Sequence, residues 1–325
     1  MLLRDDCEIC SLARRGEHVK LLRRNCLHRP SGRSSGWAVL ALRVGALTAA
    51  LLPAAGCRVS PPPLERANLL AEHGREPEAI HLLEEHLVSH PADVAERRQL
   101  IRLYGSVSRM DQASAQTERL AEILPRDSPI PFVELGHAFE LSHRFDEALA
   151  AYDHASQVAP RAALGPKIAG LRAAHWGELG LAEPRLEEAV RRAPRDAESW
   201  HALGLVRMGL GKLEAARQAY VSGLGADPQA LENHLGLATV ALRMNQPARA
   251  LAEYESLLAA RPRFTDALLG KSWSLILLGR FDAAELVLEA ATVHGAAPES
   301  VARQRLAIRD RKGRAPQKSQ AETPP

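Results

Sequence analysis

The stretch PFVELGHAFELSHRFDEALAAYDHASQVAP, residues 131–160, decides the fold. Phe132, Leu135, Gly136 and Phe139 lie on a first helix, and Ala148, Tyr152 and Ala155 on a second. Pro160 then stops the chain, because the residue before a proline avoids helical angles. The same beat runs along the molecule: Pro91, Pro125, Pro160, Pro194, Pro228 and Pro262 stand 34, 35, 34, 34 and 34 residues apart. A single globular core demands no such rhythm. A stack of near-identical helical hairpins does, since every unit must end its second helix at the same point.

Working outward, the following units carry Gly170, Ala182, Leu186, Ala189 and Pro194, then Trp200, Leu203, Gly204, Ala216, Tyr220 and Pro228. After these come Leu237, Ala238, Ala250, Tyr254 and Pro262, and a unit without proline at Leu268, Leu275, Ala284, Leu288 and Ala291. Upstream lie degenerate units at Leu100, Tyr104, Ala113 and Pro125, and at Ala67, Leu70, Ala79, Leu83 and Pro91. Small residues in the Gly slot (Gly136, Gly170, Gly204) and Ala slot let paired helices approach closely. Phe132, Trp200, Tyr152 and Tyr220 fill the gaps between hairpins. Gly74, Gly177, Gly211, Asn245 and Gly279 suit the left-handed conformation that ends a helix.

These slots resemble the tetratricopeptide pattern W-x₂-L-G-x₂-Y…A-x₃-F…P. The resemblance implies an all-α, right-handed superhelix, an α-solenoid of about seven hairpins over 64–310, with Pro298 to Asp310 as a C-terminal capping helix. It also implies a peptide-binding groove lined from the first helix of each unit. Carried onto this chain, the lining residues are Arg98 and Arg102, then Val133, His137 and Glu140, then Lys167 and Leu171. His201, Leu205 and Met208 follow, then Leu235, Thr239 and Leu242, and finally Leu269, Trp273 and Ile276. The N-terminal half of this strip is polar and basic and the C-terminal half apolar, which suits a protein segment with acidic groups at one end and aliphatic anchors at the other. A competing reading covers Leu269 and Ile276 with the capping helix, because terminal units are normally shielded. The clamp that some relatives use on chaperone C-termini is not expected, since Leu64 stands where a lysine is needed.

Composition narrows the function classes. Hydrophobic residues make up 46% and charged residues 25%, as in folded proteins, while aromatics are only 4%. The net charge of +3 is unevenly spread. Residues 1–57 carry nine basic and four acidic side chains, and 309–325 five and two, so the repeats between them sum to −5. An acidic array argues against nucleic acid as a partner, since phosphate neutralisation needs a concentrated basic face. Phosphate-loop, nucleophile-elbow and zinc-protease motifs are absent. No catalytic residue, cofactor or metal site is therefore assigned, and the chain reads as a non-enzymatic scaffold. His81, Glu85, His86 and His90 share one helix, and ligand pairs one turn apart (His86/His90, His81/Glu85) suit a metal, but the run reads as a solvated charged face and the pairs Glu84/Glu85 and Glu187/Glu188 as solubilising charges.

The N-terminal region divides into a basic leader (1–35), expected to be disordered or upstream of the true start, and a hydrophobic segment (36–57). Residues 44–55 have the proportions of a secretory h-region and are too short to span a bilayer comfortably. Ala54-Ala55-Gly56-Cys57 resembles a bacterial lipoprotein cleavage site, which implies lipidation of Cys57, export and membrane attachment. An uncleaved inner-membrane anchor beginning near Trp37 is the alternative. Cys7, Cys10, Cys26 and His28 form a possible zinc set, and a zinc-binding regulator is a weaker reading. Another alternative makes the array the substrate-binding accessory subunit of a transferase or maturation enzyme. A proline-rich linker (58–63) leads into the repeats, and 311–325 reads as a disordered tail.

Overall fold

The computed structural model describes residues 61–314. Fifteen helices and no strand occur among the described residues. They form seven hairpins: α1 (Pro63–Glu72) with α2 (Glu76–Ser89), α3 (Val94–Ser106) with α4 (Met110–Ile123), and α5 (Ile130–Leu141) with α6 (Phe145–Val158). Then come α7 (Leu164–His175) with α8 (Leu179–Arg192), α9 (Ala197–Gly209) with α10 (Leu213–Ala226), α11 (Leu231–Arg243) with α12 (Pro247–Ala260), and α13 (Thr265–Leu277) with α14 (Phe281–Val293). A final helix, α15 (Pro298–Arg314), packs on the last hairpin. The architecture is the expected α-solenoid. None of the described helices is long and apolar enough to cross a membrane.

Local chemistry sets the turns. Every hairpin closes with three residues, of which the middle one has positive φ: Gly74, Ser108, His143, Gly177, Gly211, Asn245 and Gly279. In the third hairpin His143 N–H donates to the Glu140 carbonyl and Arg144 N–H to that of Phe139, so the last carbonyls of α5 are satisfied by a Schellman motif. The same pair of bonds recurs at Gly74/Arg75 and Ser108/Arg109. Ser108 and His143 were not anticipated. At those positions the helix-ending bonds hold a non-glycine residue in a conformation that costs it about 1–2 kcal/mol. Each proline of the repeat lies two residues beyond a second helix, and the residue before it is non-helical, as with Asp227 at φ −140°, ψ 103°.

Packing explains the small residues. The seven alanines at the repeat's Ala slot (Ala79, Ala113, Ala148, Ala182, Ala216, Ala250 and Ala284) are all fully buried. Tyr152, Tyr220 and Tyr254 are buried too. A Cβ on Gly204 of α9 would come within 2.5 Å of the Tyr220 ring, and one on Gly236 of α11 within 2.4 Å. Tyr220 is thus held between Gly204 of its own hairpin and Gly236 of the next, so one ring joins two units.

Some residues read as solvated are structural. Glu84 of α2 accepts the Tyr104 hydroxyl of α3, and Glu187 of α8 pairs with Arg207 of α9 at 2.7 Å. Both link neighbouring hairpins; the helical spacing that turned them away from each other turned one of each pair toward the next unit. The capping helix continues to Arg314, past the expected end at Asp310. Lys312 reaches Asp282 of α14 at 2.7 Å, and Arg311 lies over the Trp273 ring, so this segment has contacts that a free tail lacks. The leader, the hydrophobic segment, Cys7, Cys10, Cys26, His28 and Cys57 lie outside the described residues.

Substituting Gly204→Ala should lower unfolding free energy by about 1–3 kcal/mol, because the new methyl meets an immobile ring. Gly225→Ala, where the added Cβ meets nothing within 4 Å, should raise it by roughly 0.5 kcal/mol. Urea unfolding followed by circular dichroism measures both.

Candidate functional site

First helices of most neighbouring hairpins touch one another, while second helices make no comparable contact. The first helices therefore form the inner wall of the stack, where the groove positions were placed. The structure shows how each of those side chains is engaged.

At the N-terminal end, Arg98 and Arg102 of α3 converge on one carboxylate, Glu134 of α5. Arg98 Nη2 lies 2.7 Å from Oε1, and Arg102 Nε 2.5 Å from Oε2. Glu134 is completely buried, whereas the two arginine side chains remain about 40% exposed. His137 Nδ1 stands 3.5 Å from Oε2, too far for a good hydrogen bond. Burial pushes the Glu134 carboxyl up, but His137, Arg102 and Arg98 together outweigh it and hold the carboxyl down at about 2. The cluster then carries two guanidinium charges against one carboxylate. Its excess positive charge sits on the exposed arginines.

Further along, Glu140 of α5 accepts the Tyr152 hydroxyl at 2.7 Å and pairs with Arg172 of α7 at 3.2 Å. Lys167 of α7 reaches Asp196 at 2.8 Å and Glu198 of α9 at 2.7 Å. Burial lowers the lysine's pKa, but these two carboxylates more than offset it. The polar residues expected to meet a ligand are thus tied to the following hairpin. Glu134, Arg172, Asp196 and Glu198 were missed because they fall outside the slots that the resemblance carries over. The available signal was opposite charge about one repeat away.

The apolar half is less open than its sequence suggests. Val133, Met208, Thr239 and Ile276 are buried, with exposures of 4%, 6%, 4% and 1%. Thr239 Oγ1 donates to the Leu235 carbonyl at 2.8 Å. His201 packs its ring 5.9 Å from that of Tyr220. Leu269 and Trp273 pack into the terminal cluster with Val301 and Ile308 of the capping helix. Gln304 donates to the Leu269 carbonyl at 3.1 Å, and the Arg311 guanidinium lies 5.2 Å above the Trp273 ring. The helix α15 occupies this end of the strip. Leu171, Leu235 and Leu242 remain half-buried and Leu205 is 36% exposed, so the accessible apolar surface lies in the middle of the array.

Residues 170–230 and 235–301 match the family model described as tetratricopeptide repeat. Among solved structures, the chain is similar to the C-terminal part of a TPR repeat-containing protein from Cytophaga hutchinsonii, at 15% identity and TM-score 0.56, covering 74% of this chain and 98% of that one. The MamA protein aligns at 19% identity and TM-score 0.48 over 51% of this chain and 91% of its own. YrrB, described as a TPR protein with an unusual peptide-binding site, aligns at 17% identity and TM-score 0.43 over 57% of this chain and 95% of its own. No curated protein matches the chain in sequence. At 15% identity the likeness to the Cytophaga protein bears on the fold alone.

The Glu134 cluster has a measurable acid signature. The carboxyl is depressed in the folded state from an ordinary value of 4.5 to about 2. Its stabilisation is therefore complete above about pH 5 and is lost as the pH falls toward 2. Glu134→Gln should cost on the order of 1–3 kcal/mol at neutral pH and should flatten stability between pH 4.5 and 2. Urea melts across that range, compared with the parent chain, provide the check.

Proposed function

We propose that the chain is a non-enzymatic protein-interaction scaffold whose inner wall binds a segment of another protein. The observation that carries this reading is the arginine pair on Glu134. Two half-exposed guanidinium groups share one buried carboxylate, leaving positive charge and unused N–H donors at the N-terminal end of the wall. A carboxylate side chain of the bound segment suits that place, because charge-assisted hydrogen bonds to guanidinium are strong and directional. Leu171, Leu205, Leu235 and Leu242 offer aliphatic contact further along. Trp273 and Leu269 are not assigned as anchors, since the capping helix packs there.

 Leu269 in particular already gives its carbonyl to Gln304.

We further place this scaffold outside the cytoplasm, attached to a membrane and assisting assembly of a larger complex. What supports this is sequence alone: the apolar run at 44–55 and the cysteine of Ala54-Ala55-Gly56-Cys57. A diacylated or triacylated Cys57 would anchor stably, since each buried CH₂ adds about 0.8 kcal/mol.

Photo-crosslinking tests the binding surface. A crosslinking residue placed at Leu205, on the inner wall, should capture a discrete partner in cells, whereas one at Glu289 on α14 should not. Adding Arg98→Lys and Arg102→Lys, which keep cations beside buried Glu134 but remove the forked donors, should reduce capture at Leu205 by about tenfold, as expected when a charge-assisted contact worth roughly 1.5–3 kcal/mol is lost. Capture at Glu289 only, or capture at Leu205 that ignores both arginines, would refute the proposed mode.

A further inference from the structure

We infer that His86, Asp93 and Glu96 form a binding site for one divalent cation of the zinc type, at the junction of the first two hairpins. His86 lies in the last turn of α2, Asp93 immediately precedes α3, and Glu96 lies in the first turn of α3. One donor atom from each falls within 4.8 Å of the other two. His86 Nε2 and Asp93 Oδ2 are 2.7 Å apart. Donors placed about 2.0–2.2 Å from a tetrahedral zinc ion stand roughly 3.3 Å from one another, so small side-chain movements bring all three to bonding distance.

The charge balance favours a cation. Asp93 and Glu96 bring two carboxylates to this corner beside a single imidazole. The guanidinium in the same turn, Arg97, is buried and committed to Gln116 and to the Pro91 carbonyl. Three units later the junction is built differently: Asp196, the counterpart of Asp93, and Glu198 both hold the Lys167 ammonium. At the first junction Leu64 stands in the place of that lysine, and His86 faces the acidic residues instead. Asp93 also occupies the N-cap position of α3 without bonding to it through its side chain. Its carboxylate is turned onto His86.

An imidazole nitrogen with two carboxylates selects zinc-type ions over calcium, which takes oxygen donors only. The His86 ring is largely buried, with its side chain 16% exposed, and stacks on His90 at 4.4 Å, which holds it in place. Asp93 is 42% exposed, so the fourth coordination position is open to water. An ion here would join α2 to α3 and stabilise the N-terminal end of the array, because a ligand that binds only the folded state raises its stability.

The test uses the full chain with Cys7, Cys10, Cys26 and Cys57 changed to serine, so that thiolates do not compete. Titration calorimetry with zinc chloride should show one saturable site, and saturating zinc should raise the melting temperature. Glu96→Gln should weaken binding by about tenfold or more and remove most of the zinc-dependent rise in melting temperature. His86→Gln should abolish binding, and His81→Gln, on the exposed face of α2, should leave it intact. A parent chain that binds no zinc, or a Glu96→Gln variant that binds as tightly as the parent, would overturn the assignment.

Discussion

The close approach of each helix pair at its fully buried alanine is the constraint from which the rest of the structure follows. Because the Ala slot has no side chain beyond Cβ, the helices of a hairpin come near enough for the tyrosines of the second helix to reach past the first. Tyr220 then meets Gly204 on one side and Gly236 of the next hairpin on the other. One aromatic ring therefore serves two units. No hairpin can bury its own apolar surface alone, so stability passes from neighbour to neighbour and the array must be closed at its ends. The helix α15 performs that closure at the C-terminus, with Val301 and Ile308 covering Leu275 and Ile276.

A second set of ties runs beside this apolar seam. Arg98 and Arg102 to Glu134, Glu140 to Arg172, and Lys167 to Asp196 and Glu198 each cross from one hairpin to the next. Their energetic weights differ. Glu134 is wholly buried, so loss of its partners would leave a charge without solvent or compensation. The pair between Lys167 and Glu198 involves a carboxylate 67% exposed, and water screens it. Charges that look like ligand contacts in a list of slots are, in the folded array, first of all part of its framework. What they retain for a partner is the excess of positive charge over Glu134.

The turns show a similar division between residue type and context. Gly74, Gly177, Gly211, Asn245 and Gly279 announce left-handed positions because glycine and asparagine adopt them readily. Ser108 and His143 occupy the same place without announcing it. There the backbone conformation is imposed by the repeat: two helix-ending hydrogen bonds and the packing of both helices outweigh the residue's own preference. Local propensity identifies a turn when it agrees with the fold and is silent when it yields.

The number of hairpins, their order, the helix stops at the recurring prolines and the presence of a terminal cap were all determined by the sequence, because a 34-residue periodicity of small, aromatic and proline residues admits one stacked arrangement. The use of the inner wall was decided by the tertiary structure. Whether Met208 or Leu205 meets solvent, whether Trp273 faces a partner or lies under Arg311, and whether Arg98 is free or bound to Glu134 depend on how adjacent hairpins lean on one another. Periodicity places a residue on a face of its helix, but the neighbouring unit decides which of that face's side chains are covered and which charges are met.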